Sequence, residues 1–543
     1  MVTINGQIQS EDHDRTEFVW DVPDEFNFAA DVVDNFASSQ PDKLALLWTN
    51  EKGDVAAFTF ADMARLSNQY ANLLTQAGVA RGDFVLVMLP RIPAWQVTML
   101  ALLKIGAIAV PCTTLLQPKD LEYRANFAGA TAVIAHVQDH ARVDAARAVA
   151  PTLKVFILEG GTAEGWTSAS QAATQPSHFT AARTSRSDPA LGYFTSGTTG
   201  GPKMVLHSHG YTWSQRLTGI HWLDLKPGDV HWNLSDTGWA KAAYSTLFGP
   251  WHVGSTVFVA DGPFVPTTVL EMLGKHRITS FCAPPTVFRV LVKEDLESYR
   301  FYLRHVVAAG EPLNPEVIRT WADATGTTIY DGYGQTETII LACNLPSMPV
   351  KPGAMGKPFV GHEVSIIDEE GNEVDADVEG DIALKGAPPS LFIGYYKNEE
   401  LTARCWRGQW YVTGDRGYKD SDGYLWFVGR GDDVIISAGY RIGPFEVESV
   451  LITHPAVVES AVVASPDAVR GHIVKAFVVL RNGHVASESL AKELQEHVKS
   501  LTAPYKYPRE IEFVADLPKT VSGKIRRVEL RKLEEDRKRE VRT

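Results

Sequence analysis

Tyr193-Phe194-Thr195-Ser196-Gly197-Thr198-Thr199-Gly200-Gly201-Pro202-Lys203 is the stretch on which the reading of the fold turns. A short apolar run, Ala190 to Phe194, leads into it and reads as the end of a strand. Four hydroxyl side chains and three glycines follow within seven residues. Glycine lets backbone N–H groups approach an anion closely, and Lys203 adds a mobile point charge at the end of the loop. The combination reads as a polyphosphate cradle, against the alternative of a solvent loop rich in Ser, Thr and Gly. It departs from the Walker A pattern, because Pro202 replaces that motif's second glycine and Met204 its Mg²⁺-binding hydroxyl. Met204-Val205-Leu206-His207 is β-prone, so the loop is expected to join two strands of a hairpin, with any metal ligand coming from elsewhere.

Outward from this loop, strands and helices alternate. Upstream, the strand Phe84 to Leu89 precedes a helix over Trp95–Lys104, and strands follow at Ile108–Val110, Thr131–Val137 and Val155–Leu158, with helices over Leu121–Phe127 and Val143–Val149. Gly160 to Ser187 is a polar surface connection. The rhythm restarts with strands Ser255–Val259, Thr279–Cys282 and Val306–Ala309 and helices Thr267–His276, Thr286–Lys293 and Pro315–Thr325. Such alternation implies parallel sheets covered on both faces. Gly353 to Gly386 switches to an antiparallel pattern. From about Val434 the chain reads as a small α+β domain, and Lys524 to Thr543 as a charge-mixed, solvated helix. Aromatics before Gln40 (Phe18, Trp20, Phe26, Phe28) suggest a segment packed on a larger body.

A chain of 543 residues exceeds one core, and its 45% hydrophobic and 22% charged content is that of a globular protein. The net charge of −13 argues against a nucleic-acid partner. Cys112, Cys282, Cys343 and Cys405 lack metal-ligand spacing and suit a reducing compartment. No signal sequence and no run long enough for membrane insertion is expected, which makes a cytoplasmic protein the default.

Four further stretches carry chemistry. Asp331-Gly332-Tyr333-Gly334-Gln335-Thr336-Glu337 follows a strand-forming pair, where open α/β sheets bind ligands. Tyr333 offers a face for a planar base, and Glu337 an oxygen ligand for Mg²⁺. Gly310-Glu311-Pro312 ends another strand and could wall the same site. Thr413-Gly414-Asp415 presents a carboxylate suited to ribose hydroxyls, and Arg430, before Gly431-Asp432, suits a phosphate. Pro518-Lys519-Thr520-Val521-Ser522-Gly523-Lys524 ends in a lysine.

In this order the five stretches resemble the ordered motifs of the acyl-adenylate-forming (AMP-binding) superfamily, which comprises acyl-CoA synthetases, adenylation domains and firefly-type luciferases. Ser235-Asp236-Thr237-Gly238-Trp239-Ala240-Lys241, Ser437 to Pro444 and Ala503 to Arg509 look like its medium-chain acyl-CoA synthetases. The resemblance implies an α/β fold: a large N-terminal AMP-binding domain over 1–431, built of two packed β/α sheets and a small antiparallel β subdomain, then a small mobile α+β C-terminal domain over 432–543. It implies ATP, Mg²⁺ and coenzyme A, with a small carboxylic acid as substrate. Position by position, Thr195, Ser196, Gly197, Thr198, Thr199, Gly200 and Lys203 would hold the triphosphate. Gly310, Glu311, Pro312 and Asp331 to Thr336 would surround adenine. Glu337 would bind Mg²⁺, Asp415 the ribose, and Arg430 the same end of the nucleotide. Asp432 would be the hinge, and Gly439 would border the pantetheine tunnel. Tyr440, Arg441, Arg470, Tyr507 and Arg509 would meet CoA, and Lys524 would stabilise adenylate formation.

Acetate-specific members close the acyl pocket with a Trp where this chain has Gly334. With Ala309 also small and Trp239 as one wall, the acid is expected to be larger than acetate. Leu115 to Pro118 departs from the branch's CoA-side pattern. Branched, aromatic and sulfur-containing acids, a carrier-protein acceptor and a luciferase-like oxygenase stay open, as do monomer and homodimer.

Overall fold

The computed structural model describes residues 18–195, 202–438, 440–467, 470–519 and 525–540. Among the described residues the large unit holds a nine-stranded and an eight-stranded sheet. The eight-stranded sheet runs through Phe84–Met88, Ile108–Pro111, Pro189–Thr195 and Lys203–Ser208. Its central strands are near-continuous apolar runs because helices cover both faces. As the sequence implies, Pro189–Thr195 and Lys203–Ser208 pair antiparallel, with Thr195 opposite Lys203, so the Gly/Thr loop closes a hairpin.

The nine-stranded sheet carries Val230–Asn233, Thr256–Ala260, Ser280–Ala283, His305–Ala309 and Ile329–Gln335 in parallel, then reverses with Ile339–Cys343. Here the structure corrects a simple succession of two sheets. Leu44–Thr49 and Val55–Thr59, which precede every strand of the first sheet, add to the far edge of the second. The helix after them, Phe60–Ala77, also went unread. It is capped reciprocally by Thr59 and Asp62 and ends at Gly78, whose φ of 108° is left-handed. The core between the sheets gathers Phe28, Phe60, Tyr211, Trp222 and Trp251. The N-terminal aromatics pack there as expected, and the Trp20 indole donates to Gly361 O at 2.8 Å.

An antiparallel sheet of five strands, including Gly380–Lys385, Trp410–Lys419 and Leu425–Arg430, leans against this body. The small unit is a second five-stranded sheet built on Val457–Asp467 and Gly471–Leu480, with helices Pro444–Ile452 and Glu488–Leu501. The last helix, Arg527–Glu540, is solvated along most of its length, as its charges suggest, but one face packs on the sheet. Leu530 and Glu534 are buried, and Glu534 accepts from Lys475 at 2.6 Å and Ser465 at 2.9 Å on the sheet. A buried ion pair of this kind hides from a charge pattern because its partner lies 59 residues away.

Candidate functional site

Three elements meet beside the Gly/Thr hairpin. Lys203 opens the strand Lys203–Ser208, and the two-residue strand Gly394–Tyr395 pairs with that strand's edge. The third is the turn after Ile329–Gln335, which carries Glu337. Lys203 Nζ donates to Tyr395 Oη at 2.6 Å and lies 3.3 Å from Glu337 Oε1. Tyr395 Oη donates in turn to Glu337 Oε1 at 2.7 Å. Burial, then the Glu337 carboxylate, pushes the Tyr395 phenol far above its ordinary value, so it remains a donor. Behind the turn, His207 Nε2 donates to the Thr336 carbonyl at 2.7 Å, and burial lowers that imidazole to about 3, which keeps it neutral.

Alternation along the same strand aims Tyr333 and Gln335 at Asp415. Asp415 Oδ2 accepts from Tyr333 Oη at 2.7 Å and from Gln335 Nε2 at 2.8 Å, while Arg430 Nη1 lies 3.8 Å from Oδ1. Burial raises the Asp415 carboxyl, and Arg430 with the two donors works against it. Tyr411 Oη donates to Gln335 Oε1 at 3.3 Å, holding that amide in place. The structure thus brings Lys203, Glu337 and Asp415 to one strand and its turn. Tyr333 spends its hydroxyl on that carboxylate.

At the neighbouring strand end, Lys241 Nζ donates to Ala309 O at 2.9 Å. Asp331 is buried beside it, with Oδ1 accepting from Gly332 N at 3.0 Å. Burial pushes its carboxyl up to about 8, against the pull of the Gly332 N–H and Lys241. Between Ala309 and Pro312, Gly310 turns with φ 108°, and Glu311 is engaged by Arg289 at 2.7 Å. Trp239 caps the short helix Ala240–Ala243. Its loop is locked by Asp236, which accepts from Gly238 N at 2.8 Å and Thr113 Oγ1 at 3.0 Å.

Gly334 needs a correction. A Cβ there would come within 1.5 Å of Ile339 O, so the hairpin itself demands glycine. Its size cannot be read as a freely chosen pocket gate.

The remaining candidates gather on the small unit. Arg470 N donates to Asp467 Oδ1 at 2.8 Å, Arg509 Nη1 to Tyr507 Oη at 3.0 Å, and Tyr440 stacks on Tyr505 at 4.3 Å between centroids. Asp432 lies 3.5 Å from Arg430 at the junction of the units. Ser196, Gly197, Thr198, Thr199, Gly200, Gly439 and Lys524 lie outside the described residues, as does the Arg441 side chain. Tyr395 is the residue that sequence reasoning missed. Gly394-Tyr395 has no local signature, and only the fold carries it to Lys203.

The AMP-binding enzyme family matches residues 33–396, and the AMP-binding enzyme C-terminal domain family matches residues 446–524. Acyl-coenzyme A synthetase ACSM3, mitochondrial, from Homo sapiens is 45% identical over 536 residues, covering 96% of this chain and 92% of that protein. Among solved structures, the anthranilate CoA ligase AuaEII in complex with anthranoyl-AMP superposes with a TM-score of 0.88 at 33% identity, covering 95% of this chain and 98% of that one. MatB from Rhodopseudomonas palustris, 26% identical and covering 92% of this chain and 99% of its own, superposes at 0.81 in its ATP-bound form and 0.73 in its apo form. Two domain matches in the right order, near-half identity along almost the full length and a shared fold lead to one statement: the chain belongs to the AMP-binding enzyme family, on its acyl-coenzyme A synthetase branch.

Proposed function

We propose that the protein is an AMP-forming acid–thiol ligase working in two half-reactions. A carboxylate oxygen of the acid attacks the α-phosphorus of ATP, the bond to the bridging oxygen breaks, and pyrophosphate leaves. The CoA sulfur then attacks the acyl carbon, the thiol proton passes to solvent, and AMP leaves with its phosphate oxygen. The attacking carboxylate is already anionic, so the first step needs positioning and charge neutralisation rather than a base. The observation that carries this reading is the Lys203–Tyr395–Glu337 triad and the Asp415 carboxylate gathered around the strand Ile329–Gln335 and its turn.

In this reading Lys203 turns from Glu337 to the phosphates, Asp415 holds the ribose, and Arg430 steadies Asp415. A nearly buried carboxylate suits Mg²⁺, which draws its other ligands from phosphates and water; once Lys203 turns away, Glu337 would hold the ion, which would neutralise charge on the departing pyrophosphate. Lys524 acts on the first half-reaction. It cannot stay in the site while CoA enters, so the unit 432–543 turns about Asp432 against 1–431. The arrangement described here is the adenylating one, supported by its closer fit to the ATP-bound than to the apo form of MatB.

The acid is larger than acetate, of short to medium chain, since Ala309 puts no ring into the slot beside Trp239. Each CH₂ it buries adds roughly 0.8 kcal/mol, a soft preference for length. The likeness to an anthranilate CoA ligase favours aromatic acids as the second reading. A reducing compartment suits four cysteines that lie far apart in the chain. The cytoplasm meets that condition, while the ACSM3 relative is mitochondrial by name.

Pyrophosphate release with acetate, butyrate, hexanoate, octanoate and benzoate, with and without CoA, tests the reading. Release should be acid-dependent, accelerate with CoA, and give a higher kcat/KM for some acid of four to eight carbons than for acetate. Acetate as the best substrate would overturn the size argument, and acceleration by a carrier protein but not CoA would overturn the acceptor.

A further inference from the structure

The final helix places Arg527 and Arg531 one turn apart on one face. Arg527 grips Glu448 of the helix Pro444–Ile452 in a two-pronged pair, Nε to Oε1 at 3.0 Å and Nη2 to Oε2 at 2.6 Å. Both partners belong to the small unit, so that pair makes it one body. Arg531 does something different. Its Nη1 donates to Asp433, and its Nη2 lies 4.0 Å from Asp432 Oδ2. The other oxygen of Asp432 lies 3.5 Å from Arg430 Nε. Arg430 in turn sits opposite Asp415 on the paired strand, 3.8 Å from its carboxylate.

Four side chains of alternating charge, Asp415, Arg430, Asp432 and Arg531, therefore run from the nucleotide cluster to the last helix. The two arginines stand on different bodies. Arg430 ends the strand Leu425–Arg430 of the large unit, and Arg531 rides on the small one. Asp433 follows the hinge position and keeps Arg531 however the small unit turns. Asp432, at the hinge itself, has one oxygen for each arginine and can serve both only in the arrangement described here.

We propose that Arg531 is a positioning residue for the adenylation half-reaction, holding the small unit in its adenylating orientation by sharing the hinge carboxylate of Asp432 with Arg430. The inference rests on the two-step synthetase reading. It extends that reading to a residue 99 positions beyond the hinge, which touches neither substrate nor the reacting atoms. The Asp432 contacts are partly exposed, and pairs of that kind shift an equilibrium by up to about fivefold. An effect of that size acts on one orientation only, because rotation of the hinge breaks the sharing.

Arg531→Met keeps the length of the side chain and removes its charge. Two single-turnover measurements read the result: pyrophosphate release from ATP and hexanoate without CoA, and thioester formation from supplied hexanoyl-adenylate with CoA. Adenylation should slow about fivefold, thioester formation should hold or rise, and Arg531→Lys should recover part of the adenylation rate. Equal losses in both half-reactions would mark Arg531 as merely structural and overturn the proposal, as would an unchanged ratio. Should Arg531→Met fold poorly, Arg531→Lys alone decides, since an intermediate shift of the ratio is required of it. Wild-type enzyme run in parallel separates the two readings: a wild type that releases no pyrophosphate with any acid refutes the synthetase reading and this proposal with it, whereas an active wild type with a flat ratio refutes only the proposal.

Discussion

Tyr395 lies 192 residues beyond Lys203, yet its hydroxyl joins that lysine to Glu337. In the proposed reaction it holds two groups that the nucleotide would recruit separately, so it would set their spacing before ATP arrives. Tyr395→Phe leaves Lys203 and Glu337 in direct contact and removes a hydrogen bond to each charge. Bonds to charged groups contribute about 1.5–3 kcal/mol, so kcat/KM for ATP in adenylation should fall at least tenfold. A value within twofold of wild type would contradict the role. Lys203, Glu337 and Asp415 were legible because each sits in or beside a Gly/Thr-rich loop whose composition serves little else. Tyr395 was illegible because its importance comes from a strand pairing, Tyr395 opposite Val205, that no local pattern announces. At Gly334 the sequence misleads in the other direction: the absence of a side chain looks like an open pocket, and the backbone of Ile339 turns out to require it.

At the level of elements, apolar periodicity located most of the βα units, because buried parallel strands and amphipathic helices leave strong period-2 and period-3.6 signals. The Leu44–Thr49 and Val55–Thr59 hairpin escaped placement because sheet membership depends on packing partners more than 190 residues away, not on the strand's own residues. The buried face of the last helix went unread for a related reason. Its many charges look solvated, but Glu534 is buried against Lys475 and Ser465. Glu534→Gln removes one partner from a buried pair, a change that costs about 3 kcal/mol when the other charge is stranded. Glu512, 2.9 Å from Lys475, softens the loss. The small unit should therefore unfold at lower urea by 1–3 kcal/mol, a range set by that partial compensation. A shift under about 0.5 kcal/mol, the size usual for surface changes, would restore the solvated reading.

Across the whole molecule, the interior is stocked with neutral imidazoles. Burial lowers His207 and His231 to about 3, and His209, His252, His305 and His362 to about 4. A depressed histidine contributes stability that is present above its unfolded value of about 6.5 and is lost as pH falls below it. Between pH 7 and 5.5 that loss is about 1 kcal/mol for each of them. The two carboxyls pushed up furthest oppose it: burial raises Glu159 to about 7 and Asp331 to about 8, so each regains about 2 kcal/mol over the same step. Six groups outweigh two, and Tm should be lower at pH 5.5 than at pH 7. A Tm that is level or rises on acidification would contradict this balance.

The central claim is that a large and a small unit present different groups in turn to one bound nucleotide. The most direct measurement is single-turnover kinetics of Lys524→Ala in the two half-reactions. The account predicts that acid-dependent pyrophosphate release collapses while CoA still takes the acyl group from supplied acyl-adenylate at close to the wild-type rate. Equal loss of both half-reactions would contradict it.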